Sequence, residues 1–138
     1  CAFQKLGGNT FGINILASHL KKLSTSVEGG RVLHNCHSQG TIIYGSAWNQ
    51  LSAQERNTVI GRAYGSGRFL TPEQGSNRVD KRDGVAMLAN PLCYFSARCF
   101  GSENTTVCGS DWGIPLIAHG IQGTYFNPLI EYNSEFLK

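Results

Sequence analysis

The stretch Arg31-Val32-Leu33-His34-Asn35-Cys36, closed off upstream by Gly29-Gly30 and running without a spacer into His37-Ser38-Gln39-Gly40, constrains the fold most. A short apolar run bounded by glycines reads as a buried strand. From Thr41 through Leu51 the residues support a helix, so Ser38 is expected at the apex of a sharp strand-to-helix turn. An amphipathic helix is expected earlier, because Phe11, Ile15, Leu16, Leu20 and Leu23 fall close to one helical face, with Asn9 or Thr10 available as a cap.

Beyond the turn, Ser52-Ala53-Gln54-Glu55 has the form of a capping box and predicts a second helix from about Ala53 that fades at Gly61 to Gly67. Arg68 to Thr71 and Arg78 to Asp80 are strand candidates, separated by Pro72 and a Gly75-Ser76-Asn77 turn. Val85 to Leu88 lies just beyond, ahead of the break at Asn90-Pro91. The remainder reads as loop up to the apolar run Ile114-Pro115-Leu116-Ile117-Ala118, which precedes His119. Helices alternating with short apolar strands predict an α/β chain: a three-layer domain with a mostly parallel sheet. Sites in such sheets gather at the carboxyl ends of strands. Ser38, Asp83 and His119 each follow a strand candidate.

Composition bounds the rest. With 138 residues and 41% apolar content the chain is sized for one domain, and it has no apolar run long enough to cross a bilayer as a helix. The net charge of +3 comes from scattered Lys and Arg, with Arg78, Lys81 and Arg82 as the cluster, which permits an anionic partner without demanding one. Five cysteines are too few for a disulfide scaffold; Cys99 and Cys108 bracket a polar loop and would either close it as a disulfide or remain free thiols. A metal site is not expected, because no Cys-x-x-Cys pair exists and His34, Cys36 and His37 are too close together for the usual ligand pairs. No cofactor is expected either. The start at Cys1, without a signal-like segment, reads as a fragment of something longer.

A serine hydroxyl becomes a nucleophile only with a base in reach and a third group to orient that base. Small residues two positions to either side relieve the sharp turn that such a serine occupies; Gly40 supplies one and Cys36 stands at the other. The Gln39 amide would face a developing oxyanion.

His37-Ser38-Gln39-Gly40-Thr41 after an apolar strand resembles the nucleophile elbow of lipase-like and esterase-like α/β-hydrolases. Asn77-Arg78-Val79-Asp80-Lys81-Arg82-Asp83-Gly84-Val85 resembles that family's acid segment, in which an Asp followed two residues later by Val leaves a strand end. The resemblance implies Asp83 as the acid, with Asp80 in reserve, and His119 as the base completing the order serine, acid, histidine. It implies a second oxyanion donor from a glycine-rich loop, for which Gly8 in Gly7-Gly8-Asn9-Thr10 is the candidate. It spans about Val32 to Tyr125 and implies a compact or truncated α/β-hydrolase-like domain, since that fold has more strands before the elbow than this chain has room for. Of the other histidines, His34 is expected inside the strand, His37 beside the nucleophile but turned away, and His19 on the first helix.

The implied activity is serine-triad hydrolysis of an ester or amide, on a small-molecule or lipid ester substrate. Trp48, Tyr64, Phe95, Trp112 and Phe126 are candidates for an acyl pocket, with core packing as their commoner use. In size and architecture the chain also resembles the carboxyl-terminal toxin domains of filamentous-haemagglutinin-like contact-dependent growth inhibition proteins. That likeness implies secretion or surface delivery as part of a larger bacterial protein, action in a target cell, and a cognate immunity protein that blocks the site. Two alternatives stand beside it: a metal-independent toxin ribonuclease using His34, His37 or His119 as acid and base with the Arg78, Lys81, Arg82 cluster on phosphate, and a non-catalytic binding module.

Overall fold

The computed structural model describes residues 10–92, 102–108, 119 and 125–138. Its elements are α1 (Thr10–Ser26), β1 (Val32–His37), α2 (Gly40–Trp48), α3 (Ala53–Thr58), β2 (Val59–Tyr64), β3 (Gly75–Asp80), α4 (Gly84–Ala89), β4 (Thr105–Cys108) and α5 (Phe126–Phe136). The four strands form one sheet in the order β1-β2-β3-β4 with every neighbouring pair parallel, an α/β arrangement.

Side chains alternate across the sheet and divide the structure into two faces. On one, α1 and α2 pack over the strands: Ile13, Ala17 and Leu20 meet Tyr44, Ala47 and Trp48, with Cys36, Val59 and Ala63 of the sheet beneath them. Side chains such as Leu20 and Tyr44 are almost fully buried, and each large apolar one stabilises the fold by about 1.5–3 kcal/mol relative to exposure. The opposite face carries Asn35, which bonds to Asn133 of α5, and Tyr64, whose ring meets that of Tyr125 edge-on. Among the described residues no helix is long and apolar enough to cross a membrane.

The capping box at Ser52 forms as expected, with the Ser52 N–H donating to Glu55 Oε2 (2.6 Å) and the Glu55 N–H to Ser52 Oγ (3.3 Å). The helix it starts is shorter than expected. At Val59 the backbone is already extended (φ −97°, ψ 128°), and the chain enters β2, a strand absent from the expectation above. Arg68 to Thr71 is likewise not a strand. It belongs to a loop that buried Asn77 clamps, accepting from the Leu70 N–H (2.8 Å) and donating to the Leu70 carbonyl (3.0 Å). Gly75-Ser76-Asn77, read as a turn, is the beginning of β3, and β4 occupies part of what was read as the polar loop between Cys99 and Cys108. Cys99, and with it the Cys99–Cys108 pairing, lies outside the described residues, as do Gly8, Phe95, Trp112 and the run 114–118.

Candidate active site

Ser38 follows directly on β1 and is the one non-glycine residue with positive φ (52°) among those described. A left-handed serine costs about 1–2 kcal/mol, so the surroundings must hold it. They do so through the main chain on both sides: the Ser38 N–H donates to the Tyr64 carbonyl (3.1 Å), while the Ser38 carbonyl accepts from the Gly67 N–H (3.0 Å) and Thr41 Oγ1 (2.7 Å). The turn is therefore fastened to the end of β2 and to the first turn of α2. The flanking positions are less crowded than expected, for a Cβ at Gly40 would stand 3.8 Å from Cys36 Cβ, ordinary contact. Cys36 fits there because its side chain turns into the core beneath α1 and α2, where burial pushes its thiol up to about 12.

Three side chains far apart in sequence meet at this turn. Ser38 Oγ lies 2.8 Å from His119 Nε2, and His119 Nδ1 lies 2.8 and 2.9 Å from the two oxygens of Asp83. An ionised carboxylate only accepts, so the Nδ1 proton points at Asp83 and the Nε2 lone pair accepts the Ser38 hydroxyl proton. Burial by itself would raise the Asp83 carboxyl. The bonds it accepts from His119, from the Ala86 N–H (2.8 Å) and from the Tyr125 hydroxyl (2.8 Å) outweigh this, and the net direction is downward. Asp83 is thus held as a carboxylate while fully buried.

Tyr125 and Gly65 belong to this group and carry no local sequence signal. The Tyr125 oxygen accepts from the Asp80 N–H (3.1 Å), so its single proton is directed at Asp83 Oδ2. Gly65 leaves β2 with φ +51°, and a Cβ there would lie 2.8 Å from Asp83 Oδ2, 3.0 Å from Tyr125 Cε2 and 3.3 Å from His119 Nδ1. The contact between acid and imidazole needs the absence of that one carbon.

The remaining candidates sit as follows. Asp80, the reserve acid, turns to the Arg82 N–H (2.8 Å) and guanidinium, leaving Asp83 as the carboxylate at the imidazole. The Gln39 amide, at the start of α2, has no acceptor among the described residues and is free to serve a ligand oxygen; Gly8 lies outside them. His34 stacks on Tyr44 (4.9 Å) on the other face of the sheet from His37, where burial lowers its pKa. His37 does not turn away. Its ring lies 4.8 Å from that of His119. Trp48 is in the core at the far end of α2 under the Arg56 guanidinium (4.3 Å), Tyr64 is buried, and Phe126 is half exposed.

Among the described residues no group of three or more His, Cys, Asp or Glu is placed to hold a metal ion. A groove of about 560 Å³ opens at the amino ends of β1 and β2, lined by Glu28, Arg31, Ser52 and Glu55 among others, with none of Ser38, Asp83 or His119 on its wall. Bond geometry and not cavity size therefore locates the candidate site, at the carboxyl ends of the strands. No protein-family model, characterised protein or solved structure compared with the chain matches it.

Proposed function

We propose that the protein is a serine hydrolase acting on an ester or amide, with Ser38 as nucleophile, His119 as general base and acid, and Asp83 as the carboxylate that orients the imidazole. The observation that carries the reading is the unbroken path from Ser38 Oγ through His119 Nε2 and Nδ1 to Asp83, anchored on a left-handed serine. His119 would take the Ser38 proton as Oγ attacks the carbonyl carbon and return it to the leaving group, with the Gln39 amide on the tetrahedral oxyanion. Four parallel strands with nucleophile and acid after β1 and β3 support a compact α/β-hydrolase-like fold. Delivery as an interbacterial toxin with a blocking immunity protein stays part of the proposal, resting on size and architecture alone.

A fluorophosphonate probe is expected to label the native protein at Ser38, located by peptide mass spectrometry, and to fail after heat denaturation. Degradation of RNA by unlabelled protein would instead favour the ribonuclease reading; neither activity would leave a binding module.

Gly65→Ala tests the packing of the site. Placing a methyl group against Asp83 and His119 is expected to lower kcat by about 10²-fold, the usual consequence of a shift near 1 Å in a reacting group. KM for a chromogenic ester should move little, because the methyl group faces the carboxylate and imidazole. Unchanged turnover would mean that the Asp83–His119 contact is not limiting.

A further inference from the structure

His37 is the last residue of β1, in register with Tyr64, and Ser38 follows it with its N–H on the Tyr64 carbonyl. On the face of β1 where Asn35 bonds to Asn133 of α5, the His37 ring lies against Tyr125 (5.9 Å) as well as His119. There His37 Nε2 lies 2.7 Å from the main-chain carbonyl oxygen of His119, 82 residues away. We propose that His37 is a positioning residue, whose Nε2–H grips the His119 carbonyl and so holds the His119 imidazole in line with Ser38 Oγ. The proposal rests on the reading of Ser38 and His119 as nucleophile and base.

A carbonyl oxygen cannot donate, so Nε2 must carry the proton and a neutral His37 must be the Nε2–H tautomer, the reverse of His119. Burial lowers the His37 pKa, more than the bond to the His119 carbonyl raises it, which favours this neutral form. The two ring nitrogens of His119 are both engaged with the reacting groups, Ser38 on one side and Asp83 on the other. Neither of those bonds fixes where the His119 main chain sits. The His37 bond does, and its donor is the residue bonded covalently to the nucleophile. Movement of the strand end therefore carries nucleophile and anchor together and leaves the Oγ-to-Nε2 distance unchanged.

Two variants separate the donor from the bulk. His37→Phe keeps a ring against His119 and Tyr125 but has no N–H; His37→Gln places an amide N–H near the former Nε2. On the full chain, His37→Phe is expected to lower kcat for a chromogenic ester and the rate of fluorophosphonate labelling by about 10²-fold, with KM held within about twofold. His37→Gln should recover most of that loss, and ¹⁵N shifts of the native protein should show His37 as the Nε2–H tautomer. Equal impairment of both variants, native rates in His37→Phe, or an Nδ1–H tautomer would each overturn the role. Failure of the underlying reading looks different: the native protein would then not label at Ser38 at all, and the role of His37 would fall with it.

Discussion

Ser38→Ala and His119→Ala are each expected to lower kcat by about 10⁶-fold, and the double variant by no more than either alone. In the proposed mechanism one proton serves both residues. Ser38 Oγ lies 2.8 Å from His119 Nε2, and the hydroxyl proton is directed along that line. Without the imidazole, the hydroxyl has nowhere to send that proton as Oγ bonds to carbon, and attack by a neutral alcohol is slow. Without the hydroxyl, the imidazole has no nucleophile to activate. What survives in all three variants is the Gln39 amide and whatever binds the substrate, which together leave about 10³-fold over the reaction in water. Ester turnover by the single and double variants, on protein shown by circular dichroism to be folded, measures this directly. Losses that multiply in the double variant would show two independent groups and defeat the shared-proton mechanism.

The parts of this arrangement that could be read in the sequence are those whose cause is local. The strand into Ser38 and the helix out of it follow from an apolar run that changes abruptly to small polar residues, and Ser52-x-x-Glu55 makes a bond pattern that four residues specify by themselves. β2 was hidden because its cause is not local. Val59 follows α3 with no turn between them, so a helical reading simply continues, and Gly61 in mid-strand looks like a breaker. In the fold that glycine is filled from outside, since a Cβ on it would lie 2.5 Å from Tyr44 Cε1. Gly75-Ser76-Asn77 misleads in the same way: Asn77 looks like a turn residue, yet in β3 its buried amide bonds to the main chain of Leu70 and to the hydroxyls of Ser66 and Thr105.

The serine, acid and histidine order of the resemblance pointed to Ser38, Asp83 and His119, which the fold brings within hydrogen-bond distance of one another. Nothing in the sequence pointed to the groups that hold them. Tyr125 reaches Asp83 across 42 residues and His37 reaches the His119 main chain across 82, and no spacing rule links such pairs. His37 was expected to point away on the view that a sharp turn separates neighbours. The alternation of β1 instead sends Cys36 into the core beneath α2 and His37 to the face where His119 and Tyr125 sit.

Asp83→Asn is expected to lower kcat by about 10⁴-fold while leaving the protein folded. Asp83 Oδ1 caps α4 by accepting the Ala86 N–H, and asparagine caps a helix about as well as aspartate, so in the variant the amide oxygen stays at that position. The amide nitrogen then takes the place of Oδ2, 2.9 Å from His119 Nδ1. A donor now stands where an acceptor stood. Oδ1, 2.8 Å from Nδ1, stays as an acceptor but is shared with the Ala86 N–H and is no longer charged, so the Nδ1–H tautomer and the imidazolium formed during attack lose the carboxylate that favoured them, and the fraction of His119 with its lone pair on Nε2 falls. The Tyr125 hydroxyl, already accepting from the Asp80 N–H, loses the carboxylate its own proton served. Tyr125→Phe should cost far less, because it leaves Asp83 accepting from His119 and the tautomer intact. The same exchange alters stability against pH. The folded Asp83 carboxyl titrates below its unfolded value, so its stabilising contribution is complete above that unfolded value and is lost as pH falls through the lowered folded one. Asparagine does not titrate, and the variant should show a shallower loss of stability in acid. Near-native turnover in Asp83→Asn would show that the carboxylate does not set the state of His119, and an unchanged acid limb in its thermal melts would show that the Asp83 carboxyl does not titrate below its unfolded value in the fold.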